Sequence, residues 1–140
     1  MPSMIEIMKK GAVLVNNDEE FKAQMVELDG DIIFWRFRDD QPPVTTRTDK
    51  GVLVVEEGEN PHAQIGMTLD SRVLLDVIDN SLEVKMMYLE TELVKGDVEL
   101  ARHHVFALTP YIFGMQDYYD SDPEFKKMVE EKKKGTTRAR

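Results

Sequence analysis

The stretch from Ala63 to Pro110 constrains this chain most, because its hydrophobic period switches between that of a strand and that of a helix several times in under fifty residues. Ala63, Ile65, Met67 and Leu69 alternate with Gln64, Gly66 and Thr68, the period of a half-buried strand. Asp70 or Ser71 can cap a following helix whose stripe is Val73, Leu74, Val77 and Ile78. Asn80 with Glu83 three residues on reads as a second helix start, and Leu82, Met86 and Leu89 then share a face. Glu92 to Lys95 is a short strand. Gly96 permits a tight turn and Asp97 can cap the next helix, in which Val98, Ala101, Val105, Leu108 and Ile112 form one stripe.

The preceding third adds strands. Asp31 to Arg38 is the clearest, with Ile33, Trp35 and Phe37 alternating with Ile32, Phe34, Arg36 and Arg38. Large apolar groups on both of its faces predict a central strand covered on two sides. Val44–Thr48 and Val52–Glu56 flank a hairpin turn at Asp49-Lys50-Gly51. With Ala63–Leu69 these predict a four-strand meander, to which Glu92–Lys95 adds a fifth strand. At the N-terminus, Met4, Ile5, Met8, Ala12 and Val15 fit a lead helix or arm, weakened by Gly11, that packs on the body or on a partner. Asn17 and Glu20 form a capping box before the stripe Phe21, Met25 and Leu28, and Gly30 closes that helix. Thr109-Pro110 starts a new or kinked helix, and Ser121-Asp122-Pro123-Glu124 another.

This order of elements, and several residues in it, resemble the sterol carrier protein 2 (SCP-2) sterol-transfer family. In that family a strand of small and apolar residues leads into a "dxxxLLdli" helix. A short helix carrying Phe or Met follows, then a short strand ending in Gly-Asp and an Ala/Leu-rich helix. Here the counterparts are Ala63–Leu69, Leu74–Ile78, Met86–Tyr88, Leu93–Asp97 and Val98–Leu108. The match covers about a third of the chain well and the preceding third loosely. Where the family usually has Gly-Lys before the last strand this chain has Thr91-Glu92, a departure that bears on the ligand more than on the fold. The resemblance implies an α+β domain with a five-stranded, mostly antiparallel sheet and helices covering one face. It also implies non-enzymatic binding and transfer of a sterol, fatty acid, acyl-CoA or similar hydrophobic molecule in a cavity between sheet and helices. Phe34, Met67, Leu74, Ile78, Met86, Met87, Phe106, Ile112 and Phe113 are then the expected lining. The gate would be Ser81–Glu90 or the segment after Pro110. The alternative is an accessory or oligomerisation domain, a homodimer for example, using the same apolar surface for protein contacts.

Composition excludes more than it selects. At 140 residues the chain makes one domain with a real core, divided as a lead segment 1–16, the domain proper 17–125 and a basic, partly disordered tail 126–140. The absence of cysteine removes disulfides and thiolate chemistry, and no signal peptide or membrane span is visible, so the expected address is cytoplasmic. A net charge of −9 argues against nucleic acid. The tail holds seven basic residues against two acidic, which leaves −14 on residues 1–125 and lets the tail touch anionic lipid in a transient membrane contact. No catalytic constellation, metal site or cofactor motif is expected. His103 and His104 point about 100° apart on a helix and do not share an ion easily. His62 has no partner at ligand spacing, and the many carboxylates read as solvated surface.

Overall fold

The structure, a computed structural model, describes residues 2–26, 29–40 and 42–136, and in residues 103–107 the backbone only. Two helices lead, α1 (Met4–Asn16) and α2 (Glu19–Met25), followed by strands β1 (Ile32–Phe37), β2 (Val44–Asp49), β3 (Val52–Glu57) and β4 (Ile65–Leu69). Then come α3 (Ser71–Ile78), α4 (Val84–Leu89), β5 (Glu92–Lys95), α5 (Val98–Ala107), α6 (Thr109–Ser121) and α7 (Pro123–Lys134). The strands form one five-stranded sheet in the order β3-β2-β1-β4-β5, mostly antiparallel as expected, in an α+β domain.

The expected meander does not form. β4 pairs with β1 in parallel, Phe34 opposite Gly66 and Trp35 opposite Met67, instead of continuing from β3. The chain between them passes over the open face of the sheet and is pinned there. Thr45 Oγ1 donates to the Gly58 carbonyl at 2.7 Å, the Asn60 amide donates to Thr45 Oγ1, and Arg36 holds Glu59 through two hydrogen bonds of 2.8 and 2.9 Å. β1 is thereby central, as its sequence requires, with Ile33, Trp35 and Phe37 in the main core. Trp35 Nε1 donates to Thr46 Oγ1 at 2.9 Å, so the indole's one donor is satisfied inside that core. The hairpin between β2 and β3 carries Lys50 and Gly51 at φ of 53° and 83°, the two positive values that a type I′ turn needs.

α1 is part of the body. Met4, Ile7, Met8, Ala12 and Val15 are buried against β3, α6 and α7. Gly11 does not weaken this helix, because its missing side chain is what lets α6 approach. A Cβ there would lie 2.8 Å from Met115 Cγ, and one on Gly114 of α6 would lie 2.4 Å from Val15 Cγ1. Each helix thus offers a glycine to the other's large side chain. Asn16, the last residue of α1, lies against the outer margin of β3. Its amide nitrogen donates to the Leu53 carbonyl at 2.9 Å and its oxygen accepts from the Leu53 amide at 3.0 Å.

Two expected helix starts move. α2 is capped by Asp18, whose carboxylate accepts from the Glu20 and Phe21 amides, while Asn17 closes α1; Leu28 lies outside the described residues. Asn80 ends α3 in a left-handed conformation (φ 68°), so α4 begins at Val84. That later start turns its face: Met87 is buried, whereas Met86 and Leu89 are 38% and 76% exposed. The stretch expected as a tail from residue 126 is helical through Lys134, while 137–140 lie outside the described residues. Phe125 and Val129 bury, and charge secures the rest: Lys132 meets Asp40 at 3.1 Å, and Lys133 meets Asp76 at 2.8 Å and also Asp79.

Candidate functional site

A pocket of about 230 Å³ opens where β4 and β5 pass under α4 and α5. Its floor is Met67 and Leu93, which face each other across the β4–β5 ladder. Lys95 pairs with Gly66 and Leu93 with Met67, so Val94 is the extra residue of a bulge beside the pocket. Tyr88 at the end of α4 and Thr91 after it form one wall, and Val98, Ala101 and Arg102 on one face of α5 form the other. The mouth is apolar too, with Val98 64% exposed.

Local sequence explains each wall. Gly96 turns the chain from β5 into α5 at φ 89°, and a Cβ there would lie 2.8 Å from the Gln64 carbonyl oxygen, so only glycine fits. The Asp97 carboxylate then caps α5, accepting from the Leu100 amide at 2.8 Å. On the other side Arg38 ties the turn after α4 to the sheet, bonding Asp70 at 3.1 Å and the Glu90 carbonyl at 3.4 Å.

Of the three polar side chains that the described residues bring to the pocket, two are engaged within the protein. The Tyr88 and Thr109 hydroxyls are 2.8 Å apart, and Thr91 Oγ1 donates to the Met87 carbonyl at 2.7 Å. Burial pushes the Tyr88 phenol up, an effect the bond to Thr109 partly offsets. Both hydroxyls therefore present a pocket wall that is neutral at physiological pH. Among the described residues no group of three or more His, Asp or Glu is placed to hold a metal ion, and no helix is long and apolar enough to cross a membrane.

The structure scatters the side chains expected as lining. Met67 lines the pocket. Leu74, Ile78, Met87 and Ile112 are closed into the solid core, and Met86 stands half-exposed on the outside of α4. Phe34 lies on the opposite sheet face, 5% exposed but outside the main core, its ring seated on Gly66 with the Arg36 guanidinium 5.7 Å from the ring centroid. The Phe106 side chain lies outside the described residues. Phe113 is 51% exposed in a second groove of about 500 Å³ between α1, α2 and α6. That groove is larger, but Asp18, Glu20 and Asp117 rim it, so an apolar chain would have to desolvate carboxylates to enter. The pocket under α5 carries no such cost.

Thr91, Leu93, Val98, Ala101 and Arg102 were not expected as lining. The spacing of 98, 101 and 102 on a capped helix after a short strand was visible in the sequence. Emphasis on the largest apolar residues pointed instead to the core.

No family model and no curated protein matches the chain. Solved structures do. A ubiquinone synthesis protein described as UbiJ-SCP2 matches with TM-score 0.54 and 14% identity over 75% of this chain and 91% of that one. A conserved hypothetical protein of Thermus thermophilus, described as possibly a sterol carrier protein, matches with TM-score 0.56 and 17% identity over 83% of this chain and 92% of that one. Sterol carrier protein 2 matches with TM-score 0.50 and 20% identity over 89% of this chain and 94% of that one. At these identities the likeness is one of fold, and the fold is SCP-2-like.

Proposed function

We propose that this chain binds a hydrophobic small molecule in the pocket under α5 and passes it on unchanged. The observation that carries the reading is the pocket itself: an apolar floor and mouth beside an otherwise closed core, with two of the three polar groups among its described residues already engaged. Sterol carrier protein 2 among the structural neighbours supports a lipid as the class of ligand.

The size of the pocket limits what enters it at rest. At 230 Å³ it is below the ~300 Å³ at which small-ligand sites begin. An alkyl segment burying about 200 Å² would gain on the order of 5 kcal/mol gross at ~25 cal/mol/Å². Association costs take back much of that, so tighter binding of a longer ligand requires the wall to give way. The wall that moves is α5, not the segment after Pro110. α6 is anchored by buried Tyr111, Ile112 and Met115, whereas α5 packs mainly on α6 and β4 and pivots at Gly96.

The test is a solvatochromic apolar dye bound by the purified protein and titrated with long-chain lipids. Displacement in the micromolar range is the expected result. No displacement by any lipid up to its solubility limit overturns the reading. Mass spectrometry of an organic extract of the protein identifies whatever ligand co-purifies.

A further inference from the structure

We propose that Arg102 makes the pocket selective for single-chain amphiphiles with an anionic head group; the inference rests on the lipid-binding reading above. The chain has 27 acidic residues, and its arginines are drawn to them. Of the five arginines among the described residues, four hold a carboxylate at hydrogen-bond distance: Arg36 on Glu59, Arg38 on Asp70, Arg47 on Glu56 and Arg72 on Asp76. Arg102 is the fifth. It is exposed, its side chain makes no hydrogen bond or ion pair with any described residue, and it lines the apolar pocket. Among the described residues no carboxylate shares that lining.

The arrangement has the polarity of an amphiphile. A chain lying on Met67 and Leu93 ends at the α5 wall, where the guanidinium offers its planar fork to two oxygens at once. Carboxylate, sulfate and phosphate monoester heads share that geometry. An uncharged head of the same chain length gains the apolar floor and nothing from the cation. A rigid fused-ring ligand does not fit the volume without displacing α5.

The experiment measures dye displacement from the full chain by dodecanoate, dodecyl sulfate, dodecyl phosphate and dodecanol, each below its micelle concentration, for wild type, Arg102→Gln and Arg102→Lys. Wild type should favour at least one anion over the alcohol by about fivefold, the upper range for one solvent-facing ion pair, and the preference should shrink as salt is raised. The favoured anion separates a carboxylate-headed from a sulfate- or phosphate-headed ligand. Arg102→Gln should lose the preference while dodecanol affinity stays within about twofold, and Arg102→Lys should keep part of it. Dodecanol bound as tightly as every anion by wild type, or a preference that survives Arg102→Gln, overturns this inference and leaves the lipid reading standing. No displacement by any of the four overturns both. Unchanged unfolding midpoints for the two variants confirm that the comparison is between folded proteins.

Discussion

The contact between Phe34 and Gly66 offers a direct test of the sheet. β1 and β4 run parallel with Phe34 opposite Gly66, and a Cβ built on Gly66 would fall 2.0, 2.3 and 2.6 Å from three atoms of the Phe34 ring. No small rotation clears three ring atoms, so Gly66→Ala must drive the ring from its seat. Exposing a phenylalanine side chain forfeits about 1.5–3 kcal/mol. The guanidinium of Arg36 also loses its ring, about 0.5 kcal/mol at an exposed site. Against this, alanine is favoured over glycine in a strand by about 0.5–1 kcal/mol. The net is a loss of about 2 kcal/mol. Phe34→Ala alone should cost about 3 kcal/mol, near the low end for removing a buried phenylalanine. In that background the steric conflict is gone, and Gly66→Ala should be neutral or stabilising by about 0.5 kcal/mol. Urea denaturation of the four proteins, compared at constant m-value, closes the cycle. An equal cost for Gly66→Ala in both backgrounds would refute the reasoning, because the penalty would then lie in the β4 backbone and not in the ring. The same proteins test the site. Phe34 is on the sheet face away from α4 and α5, so Phe34→Ala should leave dye affinity unchanged.

Further outcomes follow from the core and from the α3–α7 contact. Trp35→Ala should cost about 3–5 kcal/mol in urea denaturation, because it empties the centre of the sheet and removes the donor to Thr46. Ala101→Phe should fill the pocket and abolish dye binding while lowering the unfolding midpoint little, since the added ring enters existing space. Met86→Asp should change both stability and dye affinity only slightly, because that side chain faces outward from α4. The Asp76 carboxyl would be raised by burial, but hydrogen bonds from Lys133 and Arg72 outweigh this and hold it below its ordinary 3.8. Its contribution is therefore complete above that value and is lost as pH falls through the lower folded value. Acid unfolding followed by circular dichroism should show Asp76→Asn to be less stable at pH 7, with a shallower decline below about pH 4.

Much of the fold was legible because alternation and helical spacing report which side of an element is buried. They do not report which element is the neighbour. The residues of β4 alternate identically whether it pairs with β3 or β1, and the decision lies in Thr45 and Arg36 gripping the loop from Gly58 onward. A shift in one helix start was enough to exchange Met86 for Met87. The site was less legible for a related reason. The bulkiest apolar side chains, such as Leu74, Ile78 and Ile112, close on one another, and space is left where smaller or polar groups such as Ala101, Thr91 and Arg102 stand.

The side-chain amide of Asn16 fills the place that a neighbouring strand would take on Leu53, so the β3 margin cannot recruit another chain there. The opposite margin, β5, is a short strand with no described neighbour beyond it. A strand that would extend the sheet over Leu53 must first displace Asn16, whereas at β5 none of the described residues stands in its way.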